Sequence, residues 1–198
     1  MPRFSVREKE IIAEKLFSEG ERLFTLYGVK KVTVDDLVKA AGIAKGSFYA
    51  FYTSKEHLYM DILGRLQKKV WEDMSVFLEE NRSLPPKELT EQVILWSLRQ
   101  LKKYPLLSQQ TGETTDYLFR KLPSELMAAH TREDEKELEK LQEYGVRFKC
   151  GTELATQVFQ ALVITFFNLQ NEKNADAMAV MEILIKGTVN ELVGEDHD

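Results

Sequence analysis

The 198-residue chain reads as an all-α protein of about nine helices, a prediction that three observations carry. Apolar residues recur at helical spacing along most of the chain, with no convincing run of strand-type alternation. Glycines and capping-box patterns punctuate these periodic stretches where helices would end and begin. The composition, 43% hydrophobic and 30% charged with five prolines and ten glycines, can bury a core and holds no long linker or low-complexity tract. The length allows one large or two small domains.

In the first segment Ala13, Phe17, Gly20, Phe24 and Tyr27 form a 4-3-4-3 stripe among charged residues, which predicts an amphipathic helix over about 7–27 closed by Gly28. Thr33 opens a second helix, with Asp36 completing a capping box and Val34, Leu37, Val38 and Ala41 as its apolar face. Gly42 supplies the reversal, Ala44 leads into a third helix over Lys45–Tyr52, and that helix carries four aromatics in eight residues. Two turns of helix are not stable alone, so neighbours must hold it. Thr53-Ser54-Lys55-Glu56 reads as another capping box with Thr53 as N-cap. The fourth helix then runs to about Asn81 on Tyr59, Ile62, Leu63, Leu66, Val70, Met74, Phe77 and Leu78. After the break at Pro85-Pro86, helical patterns follow near 87–103, 114–121, 124–144, 152–169 and 174–192.

The net charge of −5 conceals a division. Residues 1–55 hold ten Lys and Arg against seven Asp and Glu, whereas residues 56–198 hold seventeen against twenty-five. A basic third on an acidic body suits a modular polyanion binder, because the field near one face governs local attraction. One cysteine, Cys150, excludes an intramolecular disulfide or Cys-cluster zinc site and otherwise suits a small buried hydrophobe. The longest strongly apolar stretch, 158–167, is about half of the ~20 residues a membrane span needs. With no signal-peptide pattern at the N-terminus, the expected location is the cytoplasm, without membrane attachment.

Residues 33–52 have the size and punctuation of a helix-turn-helix, a geometry that many helical bundles share. Chemistry separates the two readings: Lys45, Gly46 and Ser47 stand at the leading end of the last helix, where a recognition helix meets the major groove, while Phe48 and Tyr52 share one face. The run Thr33-Val34-Asp35-Asp36-Leu37-Val38-Lys39-Ala40-Ala41-Gly42-Ile43-Ala44-Lys45-Gly46-Ser47-Phe48-Tyr49-Ala50-Phe51-Tyr52, followed by Ser54-Lys55-Glu56, resembles the DNA-binding signature of the TetR/AcrR family of bacterial transcriptional regulators. The match covers roughly a quarter of the chain. Phe48 stands where that family commonly has Leu, Ala50 where it has His and Tyr52 where it has Phe; Ala50 removes one polar contact to the bases.

The resemblance implies a DNA-binding domain over 1–55 and a helical effector-binding and dimerisation domain over 56–198, with the fourth helix bridging from 54. It implies a ligand-responsive dimeric repressor whose partners are double-stranded operator DNA, a second copy of the chain and a small apolar or aromatic effector, with no cofactor or metal. Carried over by position, the DNA-binding set is Thr33, Ala44, Lys45, Gly46, Ser47, Tyr49 and Lys55. Thr33 caps its helix and meets a phosphate, Lys45 and Ser47 reach the groove, Gly46 allows close approach, Tyr49 turns toward DNA and Lys55 neighbours a phosphate. Phe48, Phe51 and Tyr52 are expected in the core. Arg3 and Arg7 make either a basic arm or a frayed tail.

For dimerisation the two last helices offer Leu154, Val158, Leu162, Phe166 and Leu169, then Ala177, Val180, Met181, Leu184, Thr188 and Leu192, stripes that also suit packing inside one subunit. Trp71, Met74, Trp96, Tyr117, Phe119, Tyr144, Phe159, Val163 and Phe167 are the large side chains that line an effector cavity or serve as plain core. No P-loop, GxSxG, HExxH or paired-cysteine motif is present, and His57, His130 and His197 are scattered, so no enzyme is expected. The rival readings are a helix-turn-helix protein-interaction adaptor and, behind it, an all-helical enzyme without a local motif.

Overall fold

A computed structural model describes residues 5–101, 103–109, 112–170, 172 and 176–194, apart from the side chains of 129–131. Arg3 and His197 lie outside the described residues, as does the His130 side chain. The described elements are ten α-helices: α1 (Val6–Tyr27), α2 (Val34–Ala41), α3 (Lys45–Phe48), α4 (Lys55–Glu80), α5 (Pro86–Leu101), α6 (Pro105–Ser108), α7 (Gly112–Lys121), α8 (Ser124–Glu139), α9 (Thr152–Gln170) and α10 (Ala177–Leu192). A 3-10 turn over Lys140–Tyr144 follows α8. The one extended pairing among the described residues is an antiparallel bridge from Phe148 to Val193. No described helix is long and apolar enough to cross a membrane.

Local signals set the head of the molecule. Ser5 and Glu8 form a capping box that starts α1 one residue earlier than the stripe suggests and places Arg7 in the first helical turn rather than on a free arm. Gly28 closes α1 with φ 76°, its N–H donating to the Phe24 carbonyl. The inward stripe of α1 is Leu16, Phe17, Gly20, Leu23 and Phe24, whereas Tyr27 faces out. At Gly20 an added Cβ would come within 2.8 Å of Ile62 Cδ1 and 3.2 Å of Leu58 Cδ2, so the glycine lets α1 and α4 cross at close range.

Two hydrophobic cores result. The first gathers α1, α2, Phe48, Tyr52 and the first half of α4, and continues through Leu106, Leu107, Leu118, Leu122 and Met127. The second gathers Met74 and Leu78 of α4 with α5, the 3-10 turn, α9 and α10. The division expected at residue 55 thus runs through a continuous core: α6, α7 and the start of α8 pack with the head. Polar contacts repeat that grouping. Gln109 donates to the Thr25 carbonyl at 2.8 Å, Lys30 pairs with Glu113 at 2.5 Å and Tyr117 donates to Glu56.

Candidate nucleic-acid interface

Thr33 accepts from the Asp36 backbone N–H at 3.2 Å, while Asp36 accepts from the Thr33 N–H at 2.9 Å and hydroxyl at 2.6 Å. Those bonds, the side-chain one first, hold the Asp36 carboxyl below its usual range. At the other end of α2, Gly42 adopts the left-handed conformation, φ 67° and ψ 37°, and Ile43 N–H returns to the Val38 carbonyl at 3.0 Å. Ala44 is extended, and α3 begins at Lys45.

The third helix is shorter than its periodicity predicts. After Phe48 the chain tightens into i→i+3 turns, Ala50 N–H to Ser47 O at 3.1 Å and Phe51 N–H to Phe48 O at 2.9 Å, and Tyr52 is drawn beneath Phe48. Phe48 is fully buried, meeting Tyr49 edge-on at 5.4 Å and Tyr52 at 6.0 Å. Tyr52 donates to Asp61 at 2.7 Å, and Asp61 pairs with Arg65, which reaches Glu14 at 3.0 Å and covers the Phe17 ring. A two-turn segment that could not persist alone is thereby clamped to α1 and α4.

What remains outside is the leading edge. Ala44, Lys45 and Gly46 are exposed, and Tyr49 is 54% exposed. A Cβ at Gly46 would meet nothing within 4 Å, so packing within this chain places no steric demand for glycine there. Lys45 stretches back to α2, its ammonium 2.9 Å from Asp35 Oδ1 and 3.0 Å from Oδ2. The hydrogen bond and charge of Asp35 raise the lysine above its ordinary pKa. Asp35 carries no motif signal beyond an acid in a helix's first turn and was legible only from this cross-helix pairing.

Two residues of the expected set are placed differently. Ser47 is 8% exposed, most of its surface covered by the head rather than standing at the leading edge. Lys55 points inward: its ammonium donates to the carbonyls of Val29 at 2.7 Å, Lys30 at 3.1 Å and Val32 at 2.6 Å, using all three donors. Burial pulls its pKa below the ordinary value. It ties the α1–α2 turn to α4 and has no donor left for a phosphate. The capping box at Thr53 is also replaced: Ser54 is the N-cap, accepting from His57 N–H at 3.1 Å, and Glu56 is buried beneath Tyr117 instead of reaching back.

The side chains assigned to an effector cavity divide among several environments. Tyr117 packs on the first core, Met74, Phe159 and Phe167 are buried in the second, Trp71, Tyr144 and Val163 pack partly buried on it, and Trp96 touches both. Phe119 projects outward. The Trp71 Nε1 is buried with no acceptor among the described residues. One turn before it on α4, Gln67 donates to Asp134, which also accepts from Gln160 of α9 at 2.9 Å.

On the last two helices, Leu162, Phe166 and Met181 of the expected dimer stripe are buried within the subunit, and Val158, Leu169, Ala177, Thr188 and Leu192 are half-buried. Leu154, Val180 and Leu184 face out, joined by Ile164 and by Ile183, the latter 74% exposed. The most apolar positions of these helices are drawn to the subunit's own core, which leaves a different set of apolar side chains facing out.

Residues 16–62 match the family described as bacterial regulatory proteins, tetR family. An uncharacterized HTH-type transcriptional regulator of Mycobacterium tuberculosis (strain CDC 1551 / Oshkosh) is 25% identical over 104 residues, 52% of this chain and 50% of that protein, so the chain spans about half the length of this relative. SmeT, the repressor of the Stenotrophomonas maltophilia multidrug efflux pump SmeDEF, is similar in structure with a TM-score of 0.60 and 16% identity, over 92% of this chain and 90% of that one. RolR in complex with the ligand resorcinol is similar with a TM-score of 0.63 and 18% identity, over 93% and 90%. At these identities the likeness to solved structures is one of fold.

Proposed function

We propose, from the match of residues 16–62 to the tetR family of bacterial regulatory proteins, that the chain is a ligand-responsive, DNA-binding transcriptional regulator: a dimeric repressor, acting in the cytoplasm, that leaves its operator when a small effector binds. The observation that carries the reading is the edge at Ala44–Gly46. Phe48 and Tyr52 are spent on holding this segment, yet its outer side is bare, with a glycine that no neighbour among the described residues requires, an exposed Tyr49, and Lys45 held only by the exposed Asp35. Backbone approach to a duplex would use that glycine.

One recognition segment gives too small a footprint, so the reading includes a two-fold dimer. The exposed faces of α9 and α10, Leu154 and Ile164 with Val180, Ile183 and Leu184, supply an apolar surface for a second copy. Such a dimer spaces its recognition segments roughly 34–36 Å apart, one turn of DNA. The effector belongs with the second core, beside Trp71. A buried N–H without an acceptor costs about 1–3 kcal/mol, so an aromatic ligand bearing an oxygen acceptor would relieve that cost on binding. Such a ligand acts only through its differential affinity for DNA-competent and incompetent conformers.

The test is selection from a library of random-sequence duplexes with the full chain, followed by footprinting. Enrichment of a two-fold symmetric site supports the reading; failure to enrich any sequence rejects it.

A further inference from the structure

We propose that Asp35 and Lys45 act as a single donor–acceptor couple that reads a C·G base pair in each half-site, Asp35 accepting from the cytosine N4 amino group and Lys45 donating to guanine O6 or N7. The proposal rests on the DNA-binding reading and adds to it a residue and a base-pair preference.

The couple is built by the turn at Gly42. It brings the second residue of α2 against the first of α3, ten positions on, with both carboxylate oxygens within 3.0 Å of the ammonium. The pair itself adds little to the fold. Lys45 is 53% exposed and Asp35 71%, and a solvent-exposed ion pair contributes little to stability. The helix-capping role open to an acid at this end of α2 is already filled by Asp36.

A carboxylate on a face that docks against phosphates is repelled whatever the sequence. It is tolerated where a base donor meets it, and in the major groove the base donors are the amino groups of cytosine and adenine. An ammonium has three donors and no acceptor, so it needs acceptors facing it. Guanine presents two, O6 and N7, with cytosine N4 beside them across the pair. Adenine also offers an amino group to the carboxylate, but it leaves the ammonium a single acceptor at N7, with thymine O4 on the far side of that amino group. A C·G pair therefore gives the couple one donor and two adjacent acceptors, and is the better match. Against random sequence the carboxylate keeps Lys45 partly neutralised and adds repulsion, so it also suppresses unspecific attachment.

The experiment is random-duplex selection with the full-length protein and its Asp35→Ala and Lys45→Ala variants, together with their affinity for mixed-sequence DNA. Thermal melts confirm that these exposed substitutions keep the fold. In the wild-type protein one position of each half-site should be C·G. Asp35→Ala should lower that preference about tenfold, leave the flanking positions unchanged and tighten binding to mixed DNA. Lys45→Ala should lower the same preference and weaken mixed binding. Enrichment by the wild type with no position altered in either variant, or an altered position that is A·T, overturns the couple and leaves the DNA-binding reading standing. No enrichment by the wild type overturns both.

Discussion

The phenolic hydroxyl of Tyr117 on α7 donates a 2.5 Å hydrogen bond to Oε1 of Glu56, a buried carboxylate 61 residues away in the first turn of α4. Lys55, tied to three carbonyls of the α1–α2 turn, lies 4.0 Å from the same oxygen. Through these two neighbours α7 bears on the turn that presents Thr33.

Replacing Tyr117 by Phe keeps the ring and removes the donor. Leaving a buried acceptor short of its partner costs about 1–3 kcal/mol, so urea denaturation of Tyr117→Phe should show a loss of that size. Amide exchange should quicken over residues 28–33 and stay slow in α9 and α10. A variant as stable as the wild type would mean that water replaces the phenol without cost.

Tyr52 and Tyr117 both have pKa values raised above the ordinary 10.0, by burial first and then by the hydrogen bonds to Asp61 and Glu56. A raised folded-state value means that the unfolded chain releases these protons first. Their contribution is whole below pH 10.0 and is lost as pH rises toward the folded-state value. Stability measured from neutral pH to above 10.0 should fall at the alkaline end, and less steeply in Tyr52→Phe. Equal slopes in the two proteins would remove Tyr52 from this account.

The close crossing at Gly20 leaves no room for a branched side chain. Gly20→Val should destabilise the chain by about 1–3 kcal/mol through overpacking against Leu58 and Ile62, seen as a lower melting temperature. Gly46→Ala, with open space around it, should melt as the wild type does yet bind selected DNA more weakly.

Ile183 should lie in the dimer contact. Light scattering of the wild type is expected to give twice 22.9 kDa, and Ile183→Asp to shift the particle toward a single chain without unfolding it. An unchanged dimer in the variant would place the interface elsewhere.

Binding to a selected duplex should weaken with salt. With about four to six phosphates neutralised per dimer, log affinity against log salt falls with a slope of about −4 to −5. A slope near zero would contradict phosphate contact altogether.

Much of the head was legible in the sequence because its signals are local. The Thr33–Asp36 capping box, the glycines at 28 and 42 and the buried Phe48 and Tyr52 each depend on partners a few residues away or on one helix face. Where a local signal competed with a distant partner, the distant one prevailed. Glu56 has the spacing to close a capping box on Thr53, but Tyr117 offers a buried donor, and Ser54 takes the cap. Lys55 looks from sequence like a free cation at a helix start, and three carbonyls from the preceding turn claim it.

The apolar periodicity, the glycine turns and the Thr33 cap, and with them the exposed segment at Lys45, follow from the order of residues alone, since each is decided within one or two turns of chain. Tertiary structure decided the facing: that Ser47 is covered, that α6 and α7 join the head's core, that Asp35 meets Lys45, and that Ile183 rather than Met181 looks outward on α10. An apolar stripe states that a face will be buried; only the arrangement of the other helices determines which neighbour, or which second copy, buries it.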